Sequence, residues 1–225
     1  MRRLPIAAAT AATLVAAMVL ATVPGAQAAV RMPQGDAQAG QRKAAACAVC
    51  HGVDGNSPGV QFPTLAGQPA RYLYKQMQDF RSAQRAYPLM RAAIVPFGDQ
   101  DLADLASWYA AQKPAGGTAD PALVARGEKL YRGGDRTAGI APCMGCHGPA
   151  GLGNGPAAFP RLAGQRAAYL KAQLVTFRAA GRDDETGQRR TNDTDRHEPG
   201  PMQMISAHLS DKDIDALAAF LQGLR

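Results

Sequence analysis

Two stretches of the chain, CAVCH at residues 47–51 and CMGCH at residues 143–147, share one pattern of cysteine and histidine. On a helical turn, the first, fourth and fifth positions of such a stretch project from one face, because residues three and four apart are neighbours on an α-helix. Two thiols and one imidazole are therefore presented side by side. This motif is typical of covalent haem c attachment, in which the thiols add to the haem vinyl groups and the imidazole binds iron.

The two motifs predict two haems c and use all four cysteines of the chain. The candidate attachment points and axial histidines are Cys47, Cys50 and His51 for the first haem, and Cys143, Cys146 and His147 for the second.

Three other uses of the cysteines stay open. A shared four-cysteine zinc site would join the two pairs, but it leaves the histidine after each pair unexplained. A thioredoxin-like redox motif needs strands around it, and structural disulfides are compatible with an exported protein. Haem attachment is favoured because the full five-residue motif occurs twice at equivalent positions.

A second repeated segment, FPTLAGQ at 62–68 and FPRLAGQ at 159–165, indicates a duplicated chain. The haem motifs are 96 residues apart, these segments are 97 apart, and the helix starts DQDL and DKDI are 112 apart. A unit of about a hundred residues has the size of a small domain rather than of a solenoid repeat. We therefore predict a signal peptide at 1–28, a first domain at 29–113, a linker at 114–120 and a second domain at 121–225.

Apolar residues recur at helical spacing in both halves, and no stretch alternates with a period of two. Pro69 begins one amphipathic segment, and Asp99 is the predicted cap of a later one. Asp120-Pro121 and the segment 210–213 also have the pattern of a helix start. The predicted fold class is all-α.

The second half carries 15 extra residues, which fall within residues 181–200. This insert contains six acids and four arginines and lacks apolar periodicity. We expect a solvated loop, with a docking element beside the second haem as the alternative.

The sixth iron position decides between electron transfer and chemistry on a bound molecule. Beyond the motif histidines the chain has only His197 and His208, both in the second half, so the first haem cannot have two histidine ligands. Three methionines of the mature chain are less suitable, because Met32 is in the N-terminal tail, Met77 is on a core helix face and Met144 is inside a haem motif. The remaining candidates are Met90 in the first half and Met202 or Met204 in the second. The 112-residue offset pairs Met90 with Met202, and we predict these two as axial ligands.

The first 28 residues have the pattern of an export signal. Arg2 and Arg3 precede an uncharged, alanine-rich apolar stretch, and residues 26–28 fit a cleavage site. An uncleaved membrane anchor is the alternative, but alanine and threonine insert weakly and Pro24-Gly25 interrupts the stretch. We expect cleavage and a periplasmic location.

The charge balance constrains the partners. The formal net charge is +7, and removing the signal takes away two arginines and no acid, which leaves +5. The cations are scattered among acids rather than gathered in a run, so we expect no nucleic-acid partner. A basic exported protein suits acidic protein partners or a membrane surface.

The mature sequence resembles the dihaem cytochromes c4 over essentially its whole length. The resemblance rests on both haem motifs, both FPxLAGQ segments, HGVDGNSP at 51–58 and LSDKDI at 209–214. It implies two tandem class I cytochrome c domains with facing haem edges and His/Met ligation in both. It also implies that Pro63 and Pro160 offer their carbonyls to the ring N–H groups of the two axial histidines, which fixes their tautomers.

Together these patterns predict a periplasmic electron carrier and not an enzyme. The resemblance implies that single electrons pass between redox proteins such as a quinol:cytochrome c reductase and a terminal oxidase, with peripheral contact with the membrane left open. The alternatives are a haem subunit of a dehydrogenase complex and a dihaem peroxidase, which needs an openable sixth iron position.

Overall fold

The computed structural model describes residues 31–194 and 198–224. The signal peptide predicted at 1–28 and the side chain of His197 lie outside these ranges. Within them the chain forms ten α-helices and one 3₁₀ turn, and the only β-structure is two isolated bridges. The predicted all-α class is confirmed. None of the described helices is long and apolar enough to cross a bilayer.

The first half contains five helices, and a 3₁₀ turn at Ala44–Ala46 leads from the first helix into the haem motif. The helices are α1 (Ala37–Lys43), α2 (Ala48–His51), α3 (Ala70–Arg81), α4 (Pro88–Ile94) and α5 (Asp99–Ala110).

The second half repeats this order with five further helices. They are α6 (Pro121–Gly133), α7 (Met144–His147), α8 (Ala167–Gly181), α9 (Pro201–Ser206) and α10 (Asp211–Gly223).

Side-chain caps start two of these helices as their sequences indicate. Asp120 accepts the Ala122 N–H at 3.0 Å at the start of α6, and Ser210 and Asp213 form a capping box at the start of α10. The prediction that Asp99 caps α5 is wrong. Gly98 is the cap and Asp99 is the first helical residue. The Gly98 N–H donates to the Asp101 carboxylate at 3.0 Å, and the Asp99 carboxylate is in an ion pair with Arg81.

The first and last helices of each half pack against each other, α1 on α5 and α6 on α10. Both contacts need a glycine. A Cβ added to Gly40 would lie 2.1 Å from the Asp104 carbonyl oxygen, and one added to Gly127 would lie 2.2 Å from that of Ala216. Each half buries its own hydrophobic core around its crossing. The most deeply buried side chains include Leu102, Leu105 and Tyr109 in the first core, and Tyr131, Ile214 and Leu217 in the second.

The insert differs from the expected solvated loop in its second part. Arg190 and Asn192 are buried, and the Arg190 N–H donates to the Thr176 carbonyl of α8 at 3.0 Å. The expectation was wrong for these residues because charge and lack of periodicity do not reveal a polar partner. For Arg190 this partner is Gln76 of α3, 114 residues earlier in the chain.

Candidate haem sites

Each Cys-x-x-Cys-His motif forms a single helical turn that ends at a glycine. Cys47 caps α2 and His51 is its last residue, while Cys143 and His147 hold the same places in α7. The next residues, Gly52 and Gly148, have φ values of 79° and 78°. Glycine adopts this left-handed conformation without strain, so the chain turns sharply away from the motif.

Each motif histidine is buried and bonded to a proline carbonyl. His51 Nδ1 lies 3.0 Å from the Pro63 carbonyl oxygen, and His147 Nδ1 lies 3.0 Å from that of Pro160. A carbonyl only accepts hydrogen bonds, so Nδ1 carries the proton and Nε2 keeps its lone pair. The imidazoles are 6% and 5% exposed.

Burial also controls the charge of these rings. It lowers the pKa of both imidazoles, against the opposing effect of their carbonyl partners. Each ring is therefore neutral at pH 7, which is the form that binds a metal through Nε2. An aromatic ring flanks each one, with centroids 6.3 Å apart for both His51–Phe62 and His147–Phe159.

All four cysteine thiols are free of disulfide bonds. Burial raises the pKa of Cys47, and it raises that of Cys143 to about 11. Without a bound metal, these two groups are therefore protonated thiols at neutral pH. In residues 31–194 and 198–224, no three His, Cys, Asp or Glu side chains converge as a metal site would require. This arrangement does not suit the shared zinc alternative.

The candidate methionines lie on the short helices α4 and α9. Met90 is half-buried and packs against the same core as Cys47. Met202 is half-buried, whereas Met204 is 60% exposed. The last residues of α4 and α9, Ile94 and Ser206, are both buried and stand 112 residues apart. The same offset pairs Met90 with Met202, so the two methionines have equivalent positions on these helices.

Two buried hydroxyls, those of Tyr109 and Ser206, lie in the region of the candidate haem ligands. Tyr109 belongs to the core that Cys47 and Met90 contact, and Ser206 lies one helical turn beyond Met202. The Tyr109 hydroxyl interacts with the Cys47 thiol, whereas the Ser206 hydroxyl has no hydrogen-bond partner within the described residues. Unpaired buried polar atoms are rare in folded proteins. The paired thiols and the free imidazole nitrogen of each half fit a haem there, and the unpaired Ser206 hydroxyl is consistent with one beside Met202.

The two halves belong to one compact unit and meet through a pair of glutamines. Gln68 donates to the Arg161 carbonyl at 2.7 Å and accepts the Arg161 N–H at 3.0 Å. Gln165 makes the equivalent bonds to Thr64, at 2.9 and 2.8 Å. We call these four residues the glutamine clasp. Sequence reasoning missed it, although the identical glutamine at the end of both FPxLAGQ segments was the available signal.

Comparison with known proteins gives the family. The family model for cytochrome c matches residues 37–111 and 124–225. Cytochrome c4 of Pseudomonas aeruginosa is 50% identical over 190 residues, which cover 84% of this chain and 89% of that protein. The thiosulfate dehydrogenase electron acceptor of Stutzerimonas stutzeri is 38% identical over 192 residues, 81% of each chain.

A solved structure agrees with these sequence matches. Reduced recombinant cytochrome c4 from Pseudomonas stutzeri superposes with a TM-score of 0.77 at 47% identity, and the match spans 85% of this chain and 100% of that one. The resemblance seen in the motifs and the two predicted haems c are thereby confirmed. With two equivalent haem sites and this degree of likeness along most of its length, the chain belongs to the cytochrome c4 family of dihaem electron-transfer proteins.

Proposed function

We propose that this protein is a periplasmic electron carrier built from two domains, residues 29–113 and 121–225, joined by residues 114–120. Each domain holds one haem through two thioether bonds and two axial ligands. The proposed residues are Cys47, Cys50, His51 and Met90 in the first domain, and Cys143, Cys146, His147 and Met202 in the second.

The observation that carries the proposal is the histidine geometry, because it is the same in both halves. A 3.0 Å bond to a proline carbonyl orients each imidazole and leaves Nε2 free. A haem bound there supplies one-electron redox chemistry. The cysteines keep it in place, the proline carbonyls fix the ring orientation, and the methionines close the sixth position against water and substrates.

Covalent attachment is tested by intact mass. After extraction with acidified acetone, the mature protein should retain the mass of two haems. Release of haem into the solvent would contradict thioether attachment. The same mass measurement reports removal of residues 1–28, and cell fractionation reports the periplasmic location.

A closed sixth position separates a carrier from the dihaem peroxidase alternative. We expect both ferrous haems to be low-spin and to bind no carbon monoxide at rest. A high-spin ferrous haem that binds carbon monoxide would favour the peroxidase, since that chemistry needs an open iron position.

We propose acidic redox proteins as partners, among them a quinol:cytochrome c reductase as donor and a terminal oxidase as acceptor. A second candidate role, acceptor or haem subunit of a dehydrogenase, is favoured by the relative described as a thiosulfate dehydrogenase electron acceptor. Purification of the native protein under mild conditions discriminates the two roles. Co-elution with a dehydrogenase supports the second.

A further inference from the structure

A carboxylate from the insert caps the N-terminus of α9, the helix that carries Met202. Asp193 Oδ2 accepts the backbone N–H groups of Met202 and Gln203 at 2.7 and 3.1 Å. These are the first two N–H groups of α9, because its first residue, Pro201, has none. A helix offers no internal acceptor to its first N–H groups, so Asp193 supplies the acceptor that they lack.

The contact between Asp193 and α9 is close and uses both carboxylate oxygens. Gly200 precedes the helix, and a Cβ added there would lie 2.4 Å from the Asp193 carboxyl carbon. Asp193 Oδ1 accepts the side-chain amide of Gln203 at 2.5 Å, and Gln203 is buried. The position of the carboxylate relative to α9 is therefore fixed at three hydrogen bonds.

The residue before Asp193 is anchored to a different part of the fold. Asn192 is buried, and its side-chain amide donates to Gln76 at 3.1 Å and to the Asp79 carboxylate. Its carbonyl accepts from the Lys75 ammonium. All three partners lie on α3 of the first half, so Asp193 is held in place by residues outside α9.

A second residue of the insert holds the C-terminal end of α9. Arg182 Nε donates to the carbonyl of Ala207, the residue that ends the helix, at 2.7 Å. The same guanidinium donates to the Leu209 carbonyl at 3.1 Å. An anion at the first turn and a cation at the last each lie where the helix dipole favours them. We call Asp193 and Arg182 the insert clamp.

The helix that carries the equivalent methionine of the first half starts differently. Within the described residues, α4 begins after Tyr87, which makes no side-chain hydrogen bond to the first turn. The first half also lacks the 15 extra residues of the second. The insert clamp therefore adds a support to Met202 that Met90 does not have.

We propose that the insert clamp positions Met202 for the iron of the second haem and keeps the sixth position of that iron closed. The inference rests on the proposed function, since it takes Met202 as an axial ligand. Asp193 and Arg182 are positioning residues, because they act through α9 and not on the haem itself. A helix fixed at both ends reduces the fraction of molecules in which the methionine has left the iron.

The test is a titration of the ferric holoprotein with imidazole, followed by loss of the sulfur-to-iron charge-transfer band. Imidazole binds only where the methionine has left the iron, so its apparent affinity rises with the open fraction. Asp193→Ala should raise the imidazole affinity of one haem by about fivefold, the usual effect of losing a helix cap. The other haem should keep the parent affinity.

Two further variants separate capping from charge. Asp193→Asn should keep the parent affinity at both haems, because asparagine caps helices about as well as aspartate. Glu185→Ala removes one negative charge from an exposed position of the same insert and should also leave both affinities in place. An Asp193→Asn variant that behaves like Asp193→Ala would overturn the capping role.

Arg182→Ala covers the case in which Asp193→Ala does not assemble. Arg182 is exposed, and its loss should raise the imidazole affinity of the same haem. Parent affinity in whichever of the two variants assembles would overturn the proposal. Equal increases at both haems would also overturn it, because they would indicate a general loosening of the fold.

The double variant of Asp193→Ala and Met202→Ala assigns the effect to one site. The haem that still has its methionine should keep the parent imidazole affinity, since α9 no longer supplies a ligand. A full charge-transfer band in Met202→Ala alone would count against the proposed function. A halved band in Met202→Ala, together with parent imidazole affinity in Asp193→Ala, would count against the insert clamp alone.

Discussion

One hydrogen bond decides which nitrogen of each motif histidine is free. Proline carbonyls at Pro63 and Pro160 hold Nδ1 of His51 and His147, and burial keeps both rings neutral. Removing either carbonyl from its position would free the ring to rotate, so its Nε2 lone pair would no longer be held in one direction. The ligand is therefore defined by backbone placement as much as by residue type.

At the residue scale, the choice of the second methionine is directly testable. Met202 is half-buried and in register with Met90, whereas Met204 is mostly exposed. Met202→Ala should remove about half of the sulfur-to-iron charge-transfer absorption of the ferric protein. Met204→Ala is the matched control and should retain all of it. The reverse pattern would mean that the insert shifts the ligand by two residues.

Asp104 predicts a specific acid dependence of stability. Burial opposes its ionisation, but the Asp36 N–H, the Lys43 ammonium and the Gln100 amide outweigh burial and lower its pKa to about 2. A lowered folded-state pKa stabilises the protein above the unfolded value, near 4, and this contribution is lost as pH falls toward 2. Asp104→Asn should cost ~1 kcal/mol of unfolding free energy at pH 7, because Lys43 is partly solvated.

The measurement is denaturant unfolding of both proteins from pH 7 to pH 2, followed by far-ultraviolet circular dichroism. The gap between the parent and Asp104→Asn should narrow steadily below pH 4. A gap that stays constant over this range would show that the Asp104 carboxylate contributes through packing and not through its charge.

At the scale of helices, the two terminal crossings depend on backbone contact. Gly40 and Gly127 allow α1 to touch α5 and α6 to touch α10, since a side chain at either position would overlap a carbonyl oxygen. The arrangement brings the first and last helices of each half together around its core. The insertion of even one methyl group must push two helices apart.

Gly127→Ala should therefore lower the free energy of unfolding by about 1–3 kcal/mol, the usual cost of overpacking. Gly133 provides the control within the same helix, because nothing lies within 4 Å of a Cβ added there. Gly133→Ala should be neutral or stabilising by up to about 1 kcal/mol, as alanine favours helix. Thermal unfolding of the two variants measures both effects. Equal effects would contradict the tight crossing.

The elements also show what sequence reasoning reaches. Helices α3, α6 and α10 follow from apolar spacing and caps that are local in the chain. The start of α5 differs by one residue from the prediction. Gly98 is its cap, and the Asp99 carboxylate pairs with Arg81, a contact 18 residues away that the local pattern does not show. Burial of Arg190 was unpredictable for the same kind of reason, since it depends on Gln76, 114 residues earlier. Local patterns indicate the helices and the two haem motifs, but contacts between distant polar residues need the folded chain.

At the scale of the whole molecule, net charge guides encounters with partners. The mature chain is expected to carry +5, and electrostatic attraction to an acidic partner weakens as salt screens it. Reduction of the protein by an acidic redox partner should slow several-fold between low salt and about 0.5 M, where the Debye length is only a few ångström. Stopped-flow rates that stay flat or rise with salt would indicate apolar docking.

The central claim is that one molecule holds two haems with the same His/Met ligands. It is tested most directly by a spectroelectrochemical titration of the holoprotein, with full spectra at each potential. We predict two one-electron steps, low-spin spectra throughout, and a ferric sulfur-to-iron band that each step removes in part. A step that leaves this band unchanged, or a high-spin species at either end of the titration, would contradict the account.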